Sequence, residues 1–252
     1  MPETHRELAL LDLLKSDGQA RVLDLAQRLN VTEETIRRTV RRLEAKGFVK
    51  KVHGGVHLRD WGPEASFALR LGLNTAPKRR IAARLAGMIG DGASLFLDIG
   101  TTTAFVAQAL RDHRELLVVT NSLTVAQTLA SRNGNRVFMA GGELRAHDGG
   151  SFGAEALAFV RQFQVTHAIL SAAAVDAKAG FMLQDMREAE FSRAIIERAD
   201  QAIMVVDATK FGQVAPIRIT EPKAIRRLVT DAPPAPDIAA MLADAGVEVI
   251  LA

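Results

Sequence analysis

Apolar positions in the N-terminal quarter of the chain recur at helical spacing and then alternate at strand spacing. Leu10, Leu11, Leu13 and Leu14 predict a helix over about Arg6–Lys15, closed by Ser16-Asp17-Gly18. Val22, Leu25, Ala26 and Leu29 form one stripe of a second helix, over about Val22–Leu29. Asn30-Val31-Thr32 reads as a turn, with Thr32 placed to cap a third helix and Glu33 and Glu34 favouring its positive N-terminus. Ile36, Val40 and Leu43 give that helix a core face, and Gly47 stops it. Phe48–Val52 and Val56–Leu58 read as strands around Gly54-Gly55. Short helices, a tight turn and a terminal hairpin predict a winged helix-turn-helix.

Beyond it the pattern changes twice. Arg59 to Ala76 lacks strong periodicity and reads as a linker; Pro77 is suited to open a helix running to about Gly90. Apolar strands then alternate with amphipathic helices. The strands are Ser94–Ile99, Leu116–Thr120, Arg136–Ala140, Thr166–Ser171, Ala202–Asp207, Leu228–Thr230 and Val247–Leu251. Near-continuous apolar strands between helices predict an α/β domain with a parallel sheet covered on both faces. The expected organisation is therefore residues 1–58 as winged helix-turn-helix, 59–76 as linker and 77–252 as a sheet domain that also mediates oligomerisation.

Charge sharpens this division. The net charge is only +3, yet residues 1–59 hold 12 Lys/Arg against 8 Asp/Glu, and the remainder 20 against 21. From Thr35 to Arg59 there are eight Lys/Arg and one acid, Glu44. With Ile36, Val40 and Leu43 turned inward, Arg37, Arg38, Arg41 and Arg42 fall largely on the outer surface. Unbalanced positive charge on a short helix suits a phosphate-rich partner such as double-stranded DNA. If this helix enters the major groove, Thr35, Arg38 and Arg42 are placed for base edges. Arg37, Arg41, Lys51 and His53 are placed for phosphates, with Thr32, Gly54 and Gly55 shaping the helix start and the wing.

Several chemistries are disfavoured. The chain has no cysteine, its six histidines are scattered, and no metal site or cofactor is expected. Neither a secretory signal nor an apolar run of about 20 residues is present, so a cytoplasmic protein without membrane contact is expected. Gly149-Gly150-Ser151-Phe152-Gly153 matches a hydrolase motif, but the distance from the strand ending at Ala140 and the cramped order of acid and His make it fortuitous.

Ligands of parallel sheets bind at the carboxyl ends of the strands. Here those ends read Asp98-Ile99-Gly100-Thr101-Thr102-Thr103, Thr120-Asn121-Ser122, Ala140-Gly141-Gly142-Glu143 and Asp207-Ala208-Thr209-Lys210. Glycine admits close backbone approach, hydroxyls donate, and a helix N-terminus favours an anion. The set suggests a pocket for a small phosphorylated sugar or polyol, with Lys210 as counter-charge. A sugar-phosphate isomerase carrying an accessory nucleic-acid-binding module is the alternative, with Asp98, Glu143 or Glu188 as general base.

Two runs carry a family resemblance. Val31-Thr32-Glu33-Glu34-Thr35-Ile36-Arg37-Arg38 with Val52-His53-Gly54-Gly55 resembles the DNA-binding half of the DeoR-type sugar-metabolism repressors. That family usually has Asp-Leu after the double Arg, where this chain has Thr39-Val40. The strand-end motifs, together with Leu144-Arg145, Asp148-Gly149-Gly150 and Phe211-Gly212, resemble its effector domain, most of all in the glycerol-3-phosphate regulon repressors. The resemblance implies a sugar-phosphate-sensing fold related to ribose-5-phosphate isomerase. It also implies phosphate-site roles for Asp98, Gly100, Thr101, Thr102, Asn121 and Lys210, a dimer or tetramer, and release from operator DNA by the effector. Ser171-Ala172-Ala173-Ala174-Val175-Asp176 replaces a glycine-bearing stretch and is expected to narrow the pocket.

Overall fold

The computed structural model describes residues 7, 9–11, 13–14, 19–45, 49–52, 55–58 and 67–252. The chain divides into two compact units, Met1–Leu73 and Asn74–Ala252.

In the first unit the described residues between Glu7 and Leu14 are helical, and helices follow at Val22–Arg28 and Glu33–Ala45. Strands β1 (Gln19–Ala20), β2 (Val49–Val52) and β3 (Gly55–Leu58) pair antiparallel in the order β1-β3-β2. β1 was not expected from the pattern, because two residues show no alternation. Gly55 owes its identity to that strand: a Cβ there would lie 2.8 Å from the Ala20 carbonyl oxygen. Leu10, Leu11 and Leu14 meet Leu25, Ile36, Val40, Leu43, Val49 and Val56 in one core.

The linker expectation for 59–76 needs correction over its second half. Phe67–Gly72 is helical, and Leu69 and Leu73 pack into the core of the first unit. The next helix, Thr75–Ala86, begins two residues before Pro77. Pro77 is tolerated there because the N–H groups of a first helical turn lack intrahelical acceptors anyway.

The second unit is built on strands β4 (Ser94–Leu97), β5 (Leu117–Thr120), β6 (Arg136–Met139), β7 (Val165–Leu170), β10 (Ala199–Val205), β12 (Arg227–Thr230) and β13 (Glu248–Leu251). All run parallel, in the order β13-β12-β10-β7-β4-β5-β6. Alternation along each strand feeds two cores. Leu95, Leu97, Val118, Ile169 and Val205 face the helices Thr75–Ala86, Thr101–Ala109 and Leu123–Leu129. Phe96, Val119, Ala168, Leu170 and Met204 face Ala154–Val160, Met186–Ile196 and Pro236–Asp244. A small antiparallel sheet of β8 (Ala174–Asp176), β9 (Gly180–Leu183) and β11 (Ile217–Arg218), in the order β11-β9-β8, was not foreseen.

The strand order locates a crevice. β4 leads to β5 and β6 on one side, whereas β7 returns to the other side of β4. Between β4 and β7 the winding reverses, which is where open α/β sheets bind ligands. Among the described residues, no helix is long and apolar enough to cross a membrane.

Candidate functional site

The Glu33–Ala45 helix starts with a side-chain cap. Thr32 Oγ1 accepts the Thr35 backbone N–H at 3.3 Å, and the two hydroxyls lie 2.9 Å apart. Ile36, Val40 and Leu43 are fully buried, so Arg37, Arg38, Arg41 and Arg42 are exposed, with Thr35 half-buried beside them. Thr39 is also fully buried, and its hydroxyl donates to the Thr35 carbonyl at 2.9 Å. The residue that departs from the family pattern thus lies inside the module.

The exposed cations are not equivalent. Arg37 pairs with Glu33 at 2.6 Å and Glu34 at 3.9 Å. Arg42 reaches the buried Glu7 at 3.5 Å, and Lys51 pairs with Glu44 at 3.1 Å. Arg38 and Arg41 have no carboxylate in ion-pair reach among the described residues, so their charge is the most available to a partner. Between helix and wing lies a groove of about 360 Å³ lined by residues including Arg37, Arg41, Lys51 and Gly55. His53 and Gly54 lie outside the described residues.

The second constellation sits at the β4–β7 crevice. Asp98 follows β4 and is only 4 % exposed. Its Oδ2 accepts the Ser192 hydroxyl at 2.9 Å and its Oδ1 the Ile99 N–H at 2.7 Å. Burial is the main reason its pKa rises from 3.8 to about 7; the two hydrogen bonds oppose that rise. The same Ile99 N–H donates to Asn121 Oδ1 at 3.0 Å, whereas Asn121 Nδ2 is buried with no hydrogen-bond partner among the described residues. Gly100 admits close approach: a Cβ there would meet Ser171 Oγ at 2.3 Å, which brings the end of β7 against the end of β4. Thr101 and Thr102 are buried in the first turn of the following helix, whose N–H groups have no intrahelical acceptor.

The other expected effector residues divide. Thr103 donates to Gly100 O at 3.0 Å, and Thr120 donates to Leu97 O at 2.6 Å while accepting from Ser122 N at 3.0 Å. Ser122 caps the Leu123–Leu129 helix by accepting from Val125 N at 3.4 Å. These three hydroxyls shape the strand ends. Lys210 ends the turn Ala208–Lys210 after β10, beside β7 in the sheet, and is half-buried. Gly141, Gly142 and Glu143 are exposed on the loop after β6, apart from the buried cluster.

That loop makes contacts the pattern did not indicate. Arg145 contacts Asp148 and Glu188, reaches Asp185 at 3.2 Å, and lies 4.4 Å over the Phe152 ring. It thereby ties the 141–151 segment to the Met186–Ile196 helix, and Glu188, once a candidate base, is held by a guanidinium. Ser151 is fully buried and donates to Ala140 O, which fits a structural residue and not a nucleophile.

A winged helix presenting a row of exposed arginines, joined to a parallel-sheet unit with a polar crevice, defines a ligand-sensing DNA-binding regulator. The chain belongs to the DeoR family: residues 6–60 match the DeoR-like helix-turn-helix domain and residues 73–232 the DeoR C terminal sensor domain. It is 35 % identical over 244 residues to the glycerol-3-phosphate regulon repressor of Escherichia coli (strain K12), covering 97 % of each chain. To the HTH-type transcriptional repressor CsqR of the same organism it is 33 % identical over 242 residues, covering 96 % of this chain and 93 % of the other. A solved D-ribose-5-phosphate isomerase in complex with phospho-erythronic acid matches 53 % of each chain at 18 % identity, with a TM-score of 0.39.

Proposed function

We propose that the protein is a cytoplasmic transcriptional repressor of a carbohydrate or polyol catabolic operon, released from its operator by a phosphorylated effector such as glycerol-3-phosphate. The observation that carries this reading is the exposed pair Arg38 and Arg41, left without carboxylate partners among the described residues on a helix whose opposite face is fully buried. Arg38 and Thr35 near the helix start read base edges; Arg41, together with the basic groove toward the wing, holds phosphates. Arg37 and Lys51 exchange their internal carboxylates for phosphates on binding, and Arg42 leaves Glu7 for a base edge.

In the sensor unit, the first-turn N–H groups at Thr101 and Thr102 receive the effector phosphate, with Lys210 as counter-charge. Asp98 and Asn121 take hydroxyl groups. A dimer or tetramer places two or more modules on repeated half-sites, and the effector prefers the arrangement whose spacing misfits them. An enzymatic role has less support: of the candidate bases, Glu188 is engaged by Arg145 and Glu143 is exposed, which leaves Asp98 alone, its carboxyl hydrogen-bonded by Ser192 and the Ile99 N–H.

The test is selection of bound fragments from a random duplex library by the full chain, followed by titration of the selected duplex with glycerol-3-phosphate, ribose-5-phosphate and inorganic phosphate. Enrichment of a repeated half-site and release by one of the organic phosphates are expected. No enrichment, or turnover of a sugar phosphate by the protein, contradicts the reading.

A further inference from the structure

Ser192 lies mid-way along the Met186–Ile196 helix, distant in sequence from every strand-end motif, and is fully buried. A buried hydroxyl in a helix usually returns its proton to the carbonyl one turn back. This one donates across the crevice to Asp98 Oδ2 at 2.9 Å instead. The Ile99 N–H fixes the other carboxyl oxygen at 2.7 Å, so the carboxyl plane is pinned at both corners. Beside it, the Asn121 side chain is fully buried and its Nδ2 has no partner among the described residues. A buried unsatisfied amide costs about 1–3 kcal/mol, so an unpaired donor at a ligand crevice points to a group that arrives from outside.

We propose that Ser192 is a positioning residue for effector recognition: it holds the Asp98 carboxyl in the orientation that hydrogen-bonds a hydroxyl of a phosphorylated polyol, to which the Asn121 Nδ2 also donates. The assignment rests on the effector reading above and divides the work of that site. The phosphate is held by the first turn at Thr101 and Thr102, and the hydroxyl end by Asp98 and Asn121, with Ser192 acting through Asp98 alone.

The surroundings of Asp98 make this measurable. The charged groups that act on it are Glu188, from the Ser192 helix, and Arg145, from the 141–151 segment; they push in opposite directions. Asn121, Ser192 and the Ile99 amide are neutral. Ionised Asp98 adds a like charge beside the phosphate and weakens binding, so affinity falls as the pH rises through the Asp98 midpoint. The Ser192 hydrogen bond lowers that midpoint, and its loss raises it.

The experiment uses the full chain and two readouts for wild type, Ser192→Ala and Asp98→Asn. In the first, the Asp98 carboxyl is titrated by carbon-detected NMR without effector. Wild type is expected to titrate near 7 and Ser192→Ala higher. An unchanged midpoint overturns the Ser192 assignment, whatever the effector is. In the second, glycerol-3-phosphate affinity is measured by calorimetry across the same pH range, comparing variants at each pH so that the ligand's own ionisation cancels. Well below the midpoint, Ser192→Ala is expected to bind about tenfold more weakly, the scale of one lost hydrogen bond. Its decline with pH is displaced upward, and Asp98→Asn shows no such decline. Ser192→Ala binding with wild-type affinity and pH profile overturns the proposal. Wild type binding no glycerol-3-phosphate, ribose-5-phosphate or inorganic phosphate overturns the effector reading itself, while the NMR readout still reports on the Ser192–Asp98 contact.

Discussion

Asp98 concentrates the chemistry of the sensor unit in one side chain. Its pKa in the folded protein, about 7, lies above the ordinary 3.8, so its neutral form is the one the fold favours. The stability it contributes is therefore complete below the ordinary value and is lost as the pH rises through about 7. Asp98→Asn is expected to melt at a higher temperature than wild type above neutrality, with the gap closing on acidification; calorimetric melts across that range check it. Gly55 gives a second residue-level expectation. Its missing Cβ leaves room for the Ala20 carbonyl, so Gly55→Ala is expected to destabilise the first unit by about 1–3 kcal/mol in denaturant titration. Asp98 and Asn121 were recognisable in the sequence as polar ends of apolar strands, but Ser192 was not. Between Phe191 and Arg193 it reads as an ordinary position of an amphipathic helix, and only packing across the crevice brings it to Asp98. Arg145 lies 40 residues before Asp185 in the chain, so that ion pair left no local signature, unlike the contact with Asp148 three residues on.

The helix Glu33–Ala45 is the element on which recognition turns. Its boundaries and its buried face were legible because a cap, a 3.6-residue period and one sign of charge all agree. The distribution of charge among its arginines was not, since it depends on which carboxylates fold back. Arg37 is held by Glu33, whereas Arg38 and Arg41 have no carboxylate partner among the described residues. Arg38→Ala is expected to lower operator affinity about tenfold to hundredfold, in line with about 1–3 kcal/mol for a base-edge contact. Arg37→Ala is expected to cost less, and Arg111→Ala, an exposed position of the second unit, nothing measurable in the same binding assay. Equal losses for Arg38→Ala and Arg111→Ala contradict the assigned face. The helix Phe67–Gly72 shows the opposite case. Phe67, Leu69 and Leu73 are buried, yet the helix has only six residues and Leu73 lies just beyond it, too short a stretch for a period to stand out from a linker.

Across the whole molecule, the seven parallel strands were legible because they are short apolar runs, several of them (β4, β5 and β12) leading directly into a helix. The order that places β7 beside β4 was not, because it is decided by long-range pairing. That order matters for function: it brings the strand ends at Gly100 and Ser171 into contact and creates the crevice where Asp98, Asn121 and Thr101 gather. The excess positive charge, in contrast, belongs to residues 1–59, while the remainder is nearly balanced. Grip and sensing are thus assigned to different parts of one chain. The most direct test is the salt dependence of affinity for the selected duplex, comparing wild type with Arg38→Ala/Arg41→Ala. A steep fall in affinity with salt is expected, with a logarithmic slope shallower by about 2 in the double variant, one for each lost phosphate or base-edge cation. Affinity that does not respond to salt, or an identical slope in both proteins, contradicts the account.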